Sequence, residues 1–341
     1  MGREGSKKRY IVVMFAAAAV LAALAVVSLC AGKYSVSAGE TISILGRAVF
    51  HKDQTADPMK VNVVLGLRLP RVLASALVGA ALSLSGACYQ GIFKNPLVSP
   101  DFLGVSSGAC IGAALAILLG LGAGLISAFA FAGGILAVLI SASVAAVMKN
   151  RSDIVLVLSG IIVGSLMSSI LGFVKFAADP DTQLASITYW TMGSFAYVSA
   201  KELSAAALVI IVPAAVLLAM SWWIDVLSLG EEEAKTLGAD VKRLRALAIV
   251  CSTLLTAASV CLAGTIGWVG LVIPHLSRML IGAGSRRLLP VSCLAGASFM
   301  LLVDTLTRTV GAVEMPVSIM TGIIGAPFFL WLLYRRRERM L

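Results

Sequence analysis

"FLGVSSGACIGAALAILLGLGAGLISAFAFAGGILAVLISASVAAVM", residues 102–148, contains no Asp, Glu, Lys or Arg. A helix needs about 20 apolar residues to cross the roughly 30 Å hydrocarbon layer, so this stretch is long enough for two passes. Uncharged runs also cover 11–31 and 154–174. Over all 341 residues, 59% are hydrophobic and 13% charged, and the mean hydropathy is +0.98. Soluble domains carry about 25% charged residues. The sequence therefore predicts an all-α polytopic membrane protein, a single transmembrane domain over 1–341 with no soluble domain to separate.

Hydropathy places ten spans at 11–31, 71–91, 102–119, 126–148, 154–174, 202–222, 244–262, 264–282, 289–308 and 317–334. Arg3, Lys7, Lys8 and Arg9 precede the first run, but it is too long for a cleaved signal and more spans follow. With the N-terminus inside, about two thirds of the 27 Lys and Arg fall in cytoplasmic segments, so both termini are expected in the cytoplasm. The net charge of +10 is thus a topology signal, and no nucleic-acid partner is expected. Residues 32–71 go against the bias: Lys33, Arg47, Lys52, Lys60, Arg68 and Arg71 all fall outside.

Several chemistries lack their residues. Gly104-Val105-Ser106-Ser107-Gly108 fits G-x-S-x-G, but no strand precedes it and the only histidines, His51 and His275, lie elsewhere. No G-x-x-x-x-G-K-[ST] occurs, so the chain itself cannot cradle nucleotide phosphates. The six cysteines lie in apolar runs without C-x-x-C spacing and read as small buried hydrophobes, with no metal site and no cofactor. Asp304, with Arg308 one turn further on, reads either as a local ion pair or as a proton relay of an ion-coupled transporter. Gly160-x-x-x-Gly164 and Gly104-x-x-x-Gly108 are read as close helix contacts. A short echo, Leu84-Ser85-Gly86 before Pro96 and Leu262-Ala263-Gly264 before Pro274, would suit an inverted repeat.

Two polar interruptions stand out. Asn95-Pro96 and Ser99-Pro100 break the chain between the second and third spans, because proline removes a backbone donor and disfavours helix before it. In residues 228–245, Ser228 and Glu231 fit a capping box, Glu231, Glu232 and Glu233 fill the first turn, and Gly238 supplies a stop. Leu229, Ala234 and Leu237 are expected to share an apolar face. Such a helix would suit a docking element for a soluble partner, or it is a merely solvated loop helix.

The stretches "RLPR" (68–71), "GACYQGIFKNPLVSPDFLGVSSGA" (86–109), "LGEEEAKTLGAD" (229–240), "GTIGWVGLVIPHLSR" (264–278), "LLVDTLTR" (301–308) and "MPVSIMTGIIGAPFFLWLL" (315–333) occur in this order. Together they resemble the FecCD-type permeases of ABC importers, which take up ferric siderophores, haem and cobalamin. The resemblance implies ten helices, a homodimer or close pair, cytoplasmic ABC ATPase subunits, an extracytoplasmic substrate-binding protein and residence in the cell (inner or plasma) membrane. The chain would not itself be an enzyme. Its substrate would be a metal chelate, a ferric siderophore first and haem or cobalamin as alternatives.

The resemblance also assigns residues. Arg68, Arg71 and Arg308 would receive acidic residues of the binding protein. Asn95, Pro96 and Leu97 would form one half of a cytoplasmic gate, or an ordinary turn, with Ser152 and Asp153 as the other half. Leu229, Gly230, Glu231, Glu232, Glu233, Ala234, Leu237 and Gly238 would make the coupling helix.

Overall fold

The computed structural model describes residues 2–50, 56–148 and 153–337. Among them, seven helices are long and apolar enough to cross a membrane, and three shorter apolar helices join them. These are α1 (Gly2–Cys30), α4 (Leu69–Ile92), α5 (Val105–Leu118), α6 (Ala123–Val147), α7 (Asp153–Ala177), α9 (Ala200–Ala219), α12 (Val241–Ala263), α13 (Val269–Ile281), α14 (Ser285–Thr309) and α15 (Val317–Arg337). They correspond one to one with the ten predicted spans. The polar connections are also helical: α2 (Ala38–Val49), α3 (Pro58–Val61), α8 (Gln183–Met192), α10 (Ser221–Leu229) and α11 (Glu231–Thr236). A π-helical segment, Asn62–Arg68, joins α3 to α4.

α4 is the axis of the bundle, and small residues let its neighbours reach its backbone. A Cβ at Gly86 would lie 1.9 Å from the Gly270 carbonyl oxygen on α13, and one at Gly79 would lie 2.2 Å from that of Gly296 on α14. Toward α12, Ser85 donates to the Ser252 carbonyl and bonds the Thr256 hydroxyl, both at 3.1 Å. In lipid, close packing and such polar contacts replace the hydrophobic drive for helix association. The glycine pairs read from sequence behave alike: Gly104 faces Gly164, and a Cβ at Gly108 would strike the Gly133 carbonyl at 2.4 Å.

Gly86→Ala is accordingly expected to cost about 1–3 kcal/mol as overpacking. Gly172→Ala on α7, where nothing lies within 4 Å, serves as the neutral control. Thermal inactivation of the detergent-solubilised chain compares them, and equal midpoints would contradict the tight α4–α13 crossing.

Three sequence expectations are corrected. The predicted span at 264–282 starts only at Val269, because Gly264 (φ 70°) and Trp268 (φ 71°) adopt left-handed backbone and Gly264–Gly267 stays non-helical. The Ser228–Glu231 capping box does not form: Ser228 lies inside α10 and donates back to the Asp225 carbonyl, while Gly230 (φ 144°) breaks the chain before α11. The expected apolar face is split, with Ala234 fully buried but Leu229 and Leu237 exposed by 56% and 52%. The two copies of the sequence echo sit at different points of their helices, with Gly86 mid-α4 and Gly264 capping α12, Pro96 in a turn and Pro274 inside α13.

Candidate functional site

One end of the bundle carries the α4–α5 turn. Asn95 Oδ1 accepts the Leu97 amide at 2.9 Å, closing an Asx turn around Pro96. The turn is pinned from inside by Phe102, whose ring makes edge contacts with Tyr89 and Phe93 at a centroid distance of 4.8 Å to each. Gln90 donates to the Val98 and Gly270 carbonyls at 3.4 and 3.3 Å and accepts from Arg278 at 3.0 Å. Asp101 accepts the Ser106 amide at 2.6 Å, so this carboxylate, beside the left-handed Gly104, supports the start of α5. Of the second half of the predicted gate, Asp153 opens α7 and Ser152 lies outside the described residues.

α11 stands at the same end. It closes with a Schellman arrangement: the Ala239 amide donates to Ala234 O at 3.0 Å and the Gly238 amide to Lys235 O at 2.9 Å, with Gly238 at φ 81°. Glu231, Glu232 and Glu233 fill its first turn. The Lys235 ammonium, 2.9 Å from Glu231, holds that carboxyl below its ordinary range. Buried Ala234 fixes the helix against the bundle, while its acids, and Leu229 and Leu237 on either side of it, are exposed.

At the opposite end, the three predicted arginines come together, and each is engaged internally. Arg68, 6% exposed, donates to the carbonyls of Leu29 (2.8 Å), Cys30 (3.0 Å) and Tyr34. Arg308 donates to the carbonyls of Ser28 and Ala31 and to the Ser28 hydroxyl. The last four carbonyls of a helix have no partner within it, and these two guanidinium groups supply partners for the end of α1. Arg71 Nε lies 3.0 Å from both oxygens of buried Asp304, and its Nη2 reaches Asp304 and Glu314. Arg308 Nε lies 3.6 Å from Asp304, so the predicted i,i+4 pair is the weaker contact of that carboxylate. Of the unassigned basic residues, Lys60 pairs with Glu40 at 2.6 Å and Lys33 donates to the Ala312 carbonyl.

Beside this cluster opens a half-open cavity of about 890 Å³. The ends of α5 and α12, the start of α6, α8 and the start of α9 surround it, and its lining includes Gly193 and Gly264, which are in backbone contact. Tyr189, Trp190 and Tyr197 supply aromatic surface, and Glu202 and Glu314 supply carboxylates. Among the described residues no Lys, Arg or His lines it. Broken backbone at membrane depth is tolerated where it lines such a space.

Residues 20–335 match the model of the FecCD transport family. The chain belongs to that family. It is 41% identical to the molybdate import system permease of Haemophilus influenzae over 96% of both chains. It is 42% identical to an iron chelatin transport system permease of Helicobacter pylori, over 81% of this chain and 83% of that one. A solved inward-facing metal-chelate type ABC transporter superposes with a TM-score of 0.85 at 39% identity, over 95% of this chain and 99% of that chain. The protein is thus a FecCD-type permease of ABC importers.

In this FecCD permease the sequence pointed to the two ends of the bundle but not to the contacts that organise them. The partners of Arg71, the role of Gln90 and the aromatic cavity depend on residues far apart in the chain. Gly264, which lines the cavity, was read only as the first residue of a span.

Proposed function

We propose that the chain, as a single permease domain over 1–341 in the inner or plasma membrane with both termini cytoplasmic, imports a ferric siderophore or a similar metal chelate. A second permease subunit, a homodimer partner, completes the pathway, and cytoplasmic ATPases drive it through α11. The α4–α5 turn with Asn95, Pro96 and Leu97, together with Ser152 and Asp153, gates the inner end.

The observation that carries the substrate class is the cavity: aromatic rings and the Glu202 carboxylate, with Glu314 already paired to Arg71 and no base among the lining residues, suit a bulky neutral chelate. A small oxoanion would ask for lining arginine or lysine instead, and among the described residues none lines the cavity. Vesicles holding the permease with its ATPase and binding protein test this. ATP inside should drive uptake of a neutral ferric trihydroxamate, with or without a protonophore, and molybdate should not compete. Uptake that follows a proton gradient without ATP would favour an ion-coupled transporter, and competition by molybdate would overturn the chelate reading.

The outer end is the proposed seat of the binding protein, with Arg68, Arg71 and Arg308 as its basic centre. Because Arg68 and Arg308 serve the end of α1, Arg71 is the group best placed to exchange an internal partner, Glu314, for an external carboxylate. Glu314→Gln should therefore strengthen docking of the loaded binding protein at low salt by roughly two- to fivefold, the range of a partly exposed ion pair. Unchanged affinity at both low and high salt would remove Arg71 from that surface.

A further inference from the structure

Lys94 is one of two non-glycine residues with left-handed backbone among the described residues, at φ 50°. It follows Phe93, the cap of α4, and precedes Asn95, so it sets the direction in which the turn leaves the helix. Asparagine, aspartate and glycine are the usual occupants of such a position, and lysine gains nothing there from its backbone. Its side chain supplies the reason. Nζ donates to the Leu229 carbonyl at 3.0 Å, across 135 residues of sequence. Leu229 is the last residue of α10, and its carbonyl is one that the helix leaves without a partner. An ammonium at a helix C-terminus also meets the negative end of the helix dipole.

α10 is held at other points too. A Cβ at Gly91 of α4 would lie 2.8 Å from Ile224 Cγ2, so the two helices meet with no room for a side chain. Asp225 Oδ1 accepts the Ser285 amide at 2.7 Å, joining α10 to the start of α14. Immediately beyond Leu229, Gly230 at φ 144° separates this anchored helix from α11. Lys94 thus bonds at the glycine break between the anchored α10 and the acidic α11, from the turn that also holds Asn95, Pro96 and Leu97.

We propose that Lys94 is a positioning residue that ties the α4–α5 turn to the α10–α11 hinge, so that displacement of α11 reaches the turn directly. The inference rests on the reading of α11 as the coupling helix and of the turn as a gate.

The test uses the complete transporter in vesicles and reads substrate transported per ATP hydrolysed. Lys94→Gly removes the tether while relaxing the left-handed backbone, so it does not threaten folding. Lys94→Met keeps the aliphatic stem without the donor, and Lys94→Arg keeps a donor. The first two should lower the ratio by about fivefold, the factor set by losing one ordinary hydrogen bond, and Lys94→Arg should restore most of it. Wild-type ratios in both Lys94→Gly and Lys94→Met would overturn the tether. Charge reversal of Glu231, Glu232 and Glu233 runs alongside. If that variant loses coupling while the Lys94 variants do not, only the tether falls. If it too keeps full coupling, the reading of α11 has failed, and the tether with it.

Discussion

Replacing Arg71 with methionine is expected to cost the permease about 3–5 kcal/mol of stability, the usual result of stripping a buried carboxylate of its partner. Asp304 is fully buried on α14, and both its oxygens receive Arg71 Nε at 3.0 Å, with Nη2 at 2.7 Å from Oδ1. Arg308 cannot substitute, because its Nε stands 3.6 Å away and its other nitrogens serve the end of α1. Methionine retains the stem of Arg71 without the charge, so the loss isolates the ion pair from packing. The companion variant Arg71→Met with Asp304→Leu removes both charges and should recover most of the stability, since hydrophobic replacement of a buried pair is often neutral. A double-mutant cycle on the thermal inactivation of purified permease decides it. A single-variant loss under about 1 kcal/mol would mean that water or Arg308 solvates Asp304 and that the α4–α14 ion pair is not a structural fastening.

How much of this was legible in the sequence depended on the range of the interaction. Span positions follow from composition and length alone, so α5 and α6 could be read from one uncharged run. Asn95-Pro96 likewise marks a turn by local chemistry. The Arg71–Asp304 pair is separated by 233 residues, and nothing near either residue announces the other. Asp304 and Arg308, adjacent on the helix surface, were the natural local reading, yet the stronger contact came from another helix. At Ser228 the local signal was outweighed: the motif Ser-x-x-Glu is present, but α10 continues through Ser228 and the left-handed Gly230 breaks the chain two residues later. A capping box needs an N-cap serine in extended backbone, a condition met at Ser37 and Ser199 instead.

Reversing the acidic turn of α11, Glu231, Glu232 and Glu233 all to lysine, is expected to reduce ATP-driven uptake by at least about tenfold, the factor for losing a single charge-assisted bond of 1.5–3 kcal/mol. The three acids follow the hinge at Gly230 and are flanked by Leu229 and Leu237, apolar side chains left exposed by this chain alone. A six-residue helix cannot persist by its own propensity, so buried Ala234 and the Gly238 closure must hold it in place. Those supports are untouched by the reversal. Lysine at a helix N-terminus does oppose the helix dipole, and the Glu231–Lys235 pair would be lost, so some fraying must be separated from lost docking. The triple glutamine variant supplies that separation: it removes the charges without opposing the dipole and should fall between wild type and the lysine variant. Leu237→Asp attacks the same surface from its apolar side and should also lower recovery of the ATPase with the permease, whereas fraying alone would spare this variant. Co-purification of the ATPase, measured beside uptake, is the deciding observation. Full recovery and wild-type uptake in the triple lysine variant would show that nothing docks on α11, leaving it a capped turn that only joins α10 to α12.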